Sequence, residues 1–208
     1  MRIFTEQSPQ GGRRLGLEFG PRSRRSARRT LVLGGARSGK SVTAERMLTG
    51  QRDVLYAATG GTRDGDQEWA RRVALHRDRR PADWRTAETG ELEKLLAAGG
   101  GPLLIDCLAL WLTGVMDECD AWDDDAWAAT GETRLRARTA ALLDAWRTTP
   151  RRVIAVSNEV GSGIVPATAS GRRFRDELGR LNAAVAGASE EVLLVVAGQP
   201  LRVKGRGR

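Results

Sequence analysis

Metal-binding and disulfide-forming residues are scarce in this chain. Its 208 residues include two cysteines, Cys107 and Cys119, and a single histidine, His76. Two cysteines twelve positions apart, with no further Cys or His pair beside them, predict neither a zinc site nor a disulfide framework. A reducing cytoplasm is therefore the expected compartment.

Long apolar runs are also missing. The longest, residues 102–116, contains Asp106 and is too short to cross a bilayer as a helix. Residues 1–29 lack the apolar segment of a secretory signal, and their Gly and Pro content disfavours the amphipathic helix of a transit peptide. We therefore expect neither a membrane span nor a targeting segment.

The positive charge is concentrated at one end of the chain. The net charge is +8, but residues 1–29 hold eight arginines against Glu6 and Glu18, so the remainder carries about +2. Residues 1–29 show no periodic apolar pattern and predict a disordered tail, followed by one domain over 30–208. A nucleic-acid partner is not expected, because the tail has no interleaved aromatics beyond Phe4 and Phe19.

Short, continuously apolar runs alternate with helical patterns in the domain. Residues 30–33, 54–58, 103–106, 153–156 and 192–197 predict buried parallel strands. Residues 67–80, 91–98, 108–115, 132–147 and 174–185 predict helices, whereas 117–130 reads as a solvated acidic loop. The alternation predicts an α/β fold with a mostly parallel, doubly wound sheet.

A phosphate-binding loop follows the first of these strands. Its pattern is G-x-x-x-x-G-K-S, carried by Gly34, Gly35, Ala36, Arg37, Ser38, Gly39, Lys40 and Ser41. The glycines permit a tight backbone path whose N–H groups turn toward an anion, and a predicted helix over 42–48 directs its positive end there. Lys40 can reach the β- and γ-phosphates, and the Ser41 hydroxyl can bind Mg²⁺. The chain is therefore predicted to bind a nucleoside triphosphate.

Polar residues at the ends of the other strands extend this prediction. Asp106 ends an apolar strand, as the Mg²⁺-binding carboxylate of many P-loop proteins does, although it could instead cap the next helix. Ala58, Thr59 and Gly60 follow the second strand, and Asn158 and Glu159 the fourth. Ligands bind beyond the carboxyl ends of such strands.

His76 has two interpretations. It shares a predicted helical face with Trp69 and Val73, which is typical of a packed histidine in the core. Arg72, Arg77, Arg79 and Arg80 lie close by in sequence, and nearby cations favour a neutral, nucleophilic imidazole. A neutral histidine beside a polyphosphate can attack phosphorus. The spacing alone does not decide between a packed histidine in the core and a nucleophile.

The ordered set of motifs resembles the bifunctional adenosylcobinamide kinase / adenosylcobinamide-phosphate guanylyltransferase family. The resemblance covers most of the chain after residue 29. Besides the P-loop it rests on Tyr56-Ala57-Ala58-Thr59, His76-Arg77-Asp78-Arg79-Arg80-Pro81, Trp84-Arg85-Thr86-Ala87-Glu88, Leu104-Ile105-Asp106-Cys107-Leu108 and Ser157-Asn158-Glu159-Val160-Gly161-Ser162-Gly163-Ile164-Val165-Pro166. Ala109, Gly114 and Ala183 depart from the usual pattern, and the Arg-rich tail has no counterpart in it.

The resemblance implies a RecA-like P-loop fold and two successive reactions. ATP or GTP phosphorylates adenosylcobinamide, and GMP from GTP then passes through a guanylyl-histidine to give adenosylcobinamide-GDP in cobalamin biosynthesis. Lys40, Asp106 and His76 would be catalytic, and Ser41 and Asp106 would hold Mg²⁺. Nucleotide binding would involve the P-loop with Ala58, Thr59, Gly60, Arg77, Asp78, Arg79, Arg80, Glu88 and Asp106. The family's enzymes are homo-oligomers, reported as trimers.

Two alternatives follow from the residues alone. A P-loop small-molecule kinase without guanylyl transfer would leave His76 structural. A non-catalytic, nucleotide-dependent RNA-binding protein would use the basic tail.

Overall fold

The computed structural model describes residues 2–7, 13–18, 28–61, 65, 67, 71, 73, 74 and 80–205. Strands β1 (Arg2–Gln7) and β2 (Arg13–Glu18) pair antiparallel in a separate two-stranded sheet. No secondary structure was predicted from the sequence in this stretch, so β1 and β2 were not expected. Disorder of the tail in solution stays a prediction.

A seven-stranded sheet forms the centre of the domain. Its strands are β3 (Arg29–Gly34), β4 (Leu55–Ala58), β5 (Arg85–Glu88), β6 (Leu103–Asp106), β7 (Val153–Asn158), β8 (Glu191–Val196) and β9 (Gln199–Lys204). They lie in the order β5-β4-β6-β7-β3-β8-β9, and every pairing except that of β8 with β9 is parallel. The predicted mostly parallel α/β fold is confirmed.

Helices cover the sheet. They are α1 (Lys40–Arg46), α2 (Leu92–Ala97), α3 (Leu108–Glu118), α4 (Asp124–Ala126), α5 (Glu132–Thr148) and α6 (Ala169–Ala188), with a π-helical turn at Trp127–Gly131 between α4 and α5. The first five residues of β7 are fully buried, as expected for a strand covered on both faces. Trp111 and Trp146 are the largest of the buried side chains.

Three segments differ from the sequence-based prediction. Strands β5 and β9 were missed because neither has a continuous apolar run, and both lie at edges of the sheet. The predicted acidic loop over 117–130 was wrong in part, because α3 continues to Glu118 and a helix resumes at Asp124. Asp123 accepts a hydrogen bond from the Ala126 amide at 2.8 Å and so caps that helix.

The register of the parallel strands fixes where polar side chains meet. Ala58 is level with both Glu88 on β5 and Asp106 on β6, and Gly34 is level with Asn158 on β7. The carboxyl ends of β3, β4, β5, β6 and β7 therefore lie side by side at the same end of the sheet. Among the described residues, no helix has both the length and the apolar character that crossing a membrane requires.

We predict that removing residues 1–27 leaves the melting temperature within about 2 °C of the full-length value. The reason is that β1 and β2 pair with each other and add no strand to the main sheet. The deletion keeps Arg28, whose amide donates to Glu190 at 2.6 Å. Differential scanning calorimetry of the two proteins tests this expectation, and a drop of 5 °C or more would show that the segment packs on the domain.

Candidate active site

The P-loop joins β3 to α1 in the tight conformation that its glycines allow. Gly39 has a φ of +93° immediately before α1, and Arg37 also has a positive φ, of 55°. A Cβ on Gly34 would lie 2.4 Å from Ser38 Oγ and 2.7 Å from the Val195 carbonyl oxygen. Glycine is therefore required at position 34 by packing.

The hairpin between β8 and β9 supports the P-loop from the side. The amide of Gly198 donates a hydrogen bond to the Ser38 carbonyl at 2.8 Å. Ala197 and Gly198 form the turn with φ angles of 49° and 77°, both in the left-handed region that tight hairpins use. This contact was not predicted from the sequence, because β9 was not predicted.

Lys40 folds back over the loop that precedes it. Its Nζ donates to the Gly35 carbonyl oxygen at 3.1 Å, and the residue is 7% exposed. The ammonium group is thereby held against the loop whose amides are predicted to bind phosphate. This geometry agrees with the role predicted for Lys40, which stays a prediction.

An open cleft lies at the carboxyl ends of the strands. Seven predicted site residues line it: Lys40, Ser41, Ala58, Gly60, Arg80, Glu88 and Asp106. Six further lining residues had not been assigned to the site: Tyr56, Gly61, Val73, Cys107, Leu110 and Asn158. Of these, Asn158 had been noted from the sequence as a polar residue at a strand end, and Tyr56 and Cys107 lie in motifs that carry the family resemblance.

Asp106 receives a hydrogen bond from a buried phenol. Tyr56 Oη donates to Asp106 Oδ2 at 2.7 Å. Burial, and next the neighbouring Asp106 carboxylate, raise the pKa of Tyr56 well above its ordinary value, whereas Arg80 opposes that rise. Tyr56 is therefore a neutral hydrogen-bond donor at physiological pH.

Thr59 holds the backbone that follows Asp106. Its Oγ1 accepts from the Cys107 amide at 2.9 Å and donates to the Cys107 carbonyl at 2.7 Å. Burial, followed by the charge of Asp106, raises the pKa of Cys107 to about 11. Because the thiol is neutral at physiological pH, Cys107 is a poor nucleophile despite its place in the cleft. Thr59 contacts the strand end rather than lining the cleft.

Arg80 lies flat against Tyr56 in the same cleft. Its guanidinium carbon is 3.3 Å from the centroid of the Tyr56 ring, and its Nη1 donates to Thr86 Oγ1 at 3.2 Å. The Nε of Arg80 is buried without a hydrogen-bond partner among the described residues. A guanidinium with a spare donor is well suited to bind a phosphate oxygen.

Ser41 and Asp106 are suited to hold Mg²⁺. Both line the cleft beside Lys40, and they supply hydroxyl and carboxylate oxygens, the ligands that this ion prefers. Within the described part of the chain, no group of three or more His, Cys, Asp or Glu residues forms a metal site. Two protein ligands are consistent with the way Mg²⁺ retains several waters and binds with substrate phosphates.

The loop after β7 borders the cleft through Asn158. Glu159 Oε1 accepts from the Gly161 amide at 2.6 Å, and Arg175 on α6 donates to the Gly161 carbonyl at 2.8 Å. Beyond this anchored point Ile164 is 96% exposed and Val165 63% exposed. The loop therefore presents apolar side chains to solvent a few residues after Asn158, which lines the cleft.

The predicted nucleophile and its neighbours are not among the residues that the structure describes. The structure does not describe His76, Arg77, Asp78 or Arg79, and it does not describe Trp69 or Arg72. The predicted helix over 67–80 is described only at Gln67, Arg71, Val73 and Ala74, which are helical, and at Arg80, which is not. Val73 and Arg80, on either side of His76 in sequence, both line the cleft.

Comparison with known proteins identifies the family. The model of the cobinamide kinase / cobinamide phosphate guanyltransferase family matches residues 30–203. The chain belongs to this family. A Pseudomonas aeruginosa relative, bifunctional adenosylcobalamin biosynthesis protein CobP, is 43% identical over 182 residues, which is 85% of this chain and 98% of the relative. The CobU proteins of Escherichia coli and Salmonella typhimurium, which bear the same bifunctional description, are each 39% identical over 184 residues, or 84% of this chain and 98% of each relative.

Membership of the cobinamide kinase / cobinamide phosphate guanyltransferase family confirms the resemblance stated from the motifs. The prediction of a bifunctional enzyme is confirmed with it, and membership implies nucleotide binding. The kinase without guanylyl transfer and the RNA-binding protein are not favoured. The match begins at residue 30, the point at which the sequence predicted the domain to start.

We predict that Lys40→Ala lowers both the kinase and the guanylyltransferase rates at least about 100-fold, because we expect one triphosphate site to serve both reactions. The matched control is Lys94→Ala, which removes an exposed lysine paired with Glu91 on α2 and is expected to behave as wild type. Steady-state rates of each half-reaction test this. Retention of full guanylyl transfer by Lys40→Ala would show that the two reactions use separate triphosphate sites.

Proposed function

We propose that this enzyme phosphorylates adenosylcobinamide with ATP or GTP and then transfers GMP from GTP, through a guanylyl-histidine, to form adenosylcobinamide-GDP. The proposal is based on the residues that line one cleft. They include Lys40 and Ser41 of the P-loop, the strand-end carboxylate Asp106, and Val73 and Arg80, which lie on either side of His76 in the sequence. This lining supports a site in which the P-loop and the segment that contains the proposed nucleophile act on one triphosphate.

In the kinase reaction, the chain's task is to position the triphosphate and neutralise its charge. Lys40 and the P-loop amides would bind the β- and γ-phosphates, and the hydroxyl of the aminopropanol arm of the substrate would attack the γ-phosphorus. The bond from the γ-phosphorus to the β–γ bridging oxygen would break as the new bond forms, the nucleoside diphosphate would leave, and the hydroxyl proton would be released to solvent. Ser41 and Asp106 would hold Mg²⁺, which when bound neutralises charge on the phosphate oxygens. No enzyme side chain needs to form a covalent bond in this reaction.

In the guanylyltransferase reaction, His76 would be the nucleophile. A neutral imidazole nitrogen would attack the α-phosphorus of GTP, forming an N–P bond as the bond to the leaving pyrophosphate breaks. A phosphate oxygen of adenosylcobinamide phosphate would then attack the same phosphorus and release the histidine. The positive charges of Arg77, Arg79 and Arg80 would stabilise the developing negative charge on the phosphate oxygens.

Further residues complete the proposed nucleotide site. Ala58 and Gly60 line the cleft beside the P-loop, Thr59 holds the backbone of Cys107 beside Asp106, and Glu88 lies level with Ala58 on the neighbouring strand. Asp78 belongs to the same proposed set by the family resemblance. We place the corrinoid beside Ile164 and Val165, because these exposed apolar side chains belong to the loop that follows Asn158, a residue of the cleft lining.

We further propose that the enzyme acts in the cytoplasm as a homo-oligomer, without a nucleic-acid partner. The cysteine content supports the compartment, and the confinement of excess charge to residues 1–29 argues against nucleic acid. Oligomerisation rests on the family resemblance.

We predict that α-labelled GTP, but not γ-labelled GTP, labels the enzyme covalently at His76. The reason is that attack at the α-phosphorus retains GMP and expels pyrophosphate. The bond should be a phosphoramidate, labile to acid and stable to alkali. The measurement is retention of label after denaturation, followed by mass spectrometry of the labelled peptide.

The control for this labelling is His76→Ala. Because His76 is the chain's single histidine, no other imidazole can replace it, and labelling and guanylyl transfer should both be lost. Phosphorylation of adenosylcobinamide should persist, since that step depends on Lys40, Ser41 and Asp106. Undiminished guanylyl transfer by this variant, or turnover by wild type without any acid-labile adduct, would refute the covalent route.

A further inference from the structure

Tyr56 contacts two groups to which the proposed function gives different tasks. Its hydroxyl donates to the carboxylate of Asp106, a proposed Mg²⁺ ligand, and its ring face lies under the guanidinium of Arg80, a proposed phosphate-binding group. The residue is 3% exposed, yet it lines the cleft. Because its hydroxyl bonds to Asp106 and its ring contacts Arg80, Tyr56 does more than fill space in the core.

The register of three strands creates the contact with Asp106. Tyr56 is level with Leu104 on β6, and Ala58, two residues further along β4, is level with Asp106. Residues two apart on a strand share a face, so Tyr56 and Asp106 lie on the same side of the sheet. The hydroxyl thereby fixes the position of one Asp106 oxygen.

The same register creates the seat for Arg80. Thr86 on β5 is level with Tyr56 on its other side, and Arg80 bonds to Thr86 Oγ1 while stacking on the Tyr56 ring. The stack and this hydrogen bond define the plane of the guanidinium, and its Nε keeps an unused donor. Tyr56 thus stands between the carboxylate on one side and the arginine on the other.

We infer that Tyr56 is a positioning residue that orients Asp106 through its hydroxyl and Arg80 through its ring. This inference rests on the proposed roles of those two residues. It assigns the two parts of one side chain to separate tasks: the hydroxyl to metal binding and the ring to triphosphate binding. If Tyr56 only packed in the core, its effects on metal binding and on triphosphate binding could not be separated.

Two substitutions separate the tasks. Tyr56→Phe removes the hydroxyl and keeps the ring, so the Mg²⁺ concentration for half-maximal guanylylation should rise about tenfold or more, while the KM for GTP at saturating Mg²⁺ changes less than twofold. Arg80→Lys keeps the charge but loses the planar stack, so the KM for GTP should rise with little change in the Mg²⁺ requirement. Thr139→Val, which removes a hydroxyl on α5 that bonds to the Leu135 carbonyl, is the control and should match wild type.

A spectroscopic readout tests the contact without turnover. Tyr56 is the single tyrosine of the chain, so protein labelled with ¹³C at the tyrosine ring carbon that bears the hydroxyl gives one assigned NMR signal. In nucleotide-free protein, Asp106→Ala should move this signal because the phenol loses its acceptor. Circular dichroism of each variant confirms that it is folded.

The results separate this inference from the proposed function. An unchanged Mg²⁺ requirement in Tyr56→Phe, or a tyrosine signal that Asp106→Ala does not move, would overturn the positioning role even if wild type forms the GMP adduct. Equal loss of Mg²⁺ and GTP affinity in Tyr56→Phe would also overturn it. Absence of the adduct in wild type would instead refute the proposed covalent chemistry, whereas the NMR comparison would still report on the contact.

Discussion

The active cleft depends on the parallel register of five strands. Parallel strands present their carboxyl ends at one edge, and side chains that are far apart in sequence become neighbours there. Gly34 is thereby level with Asn158, and Ala58 is level with both Glu88 and Asp106. A shift of one residue in any of these pairings would turn the side chains of that strand to the opposite face and separate them.

Polar contacts then refine what the register brings together. Tyr56, Thr59 and the Gly198 amide each hold one part of the cleft, namely the carboxylate of Asp106, the backbone at Cys107 and the P-loop at Ser38. Tyr56 and Cys107 are buried, and a hydrogen bond to a charged or backbone group is costly to break there, whereas Gly198 is exposed. The phosphate-binding loop and the strand-end carboxylate therefore have defined positions before any substrate arrives.

Much of this arrangement could be predicted from sequence, and the remainder could not for physical reasons. Buried parallel strands such as β7 need continuous apolar runs, and a P-loop needs its glycines, so both are visible in the residue order. Edge strands β5 and β9 face solvent and need no such run. Asp106 was predicted from its place at a strand end. The contacts of Tyr56 were not, because they arise from the alignment of β4 with β5 and β6, which one strand's residues do not encode.

The central claim is that one cleft per chain serves both reactions. Equilibrium dialysis with non-hydrolysable analogues of ATP and GTP, in the presence of Mg²⁺, measures the number of nucleotides bound per chain. We expect one nucleotide per chain and full competition between the two analogues. Two nucleotides per chain that do not displace one another would contradict it.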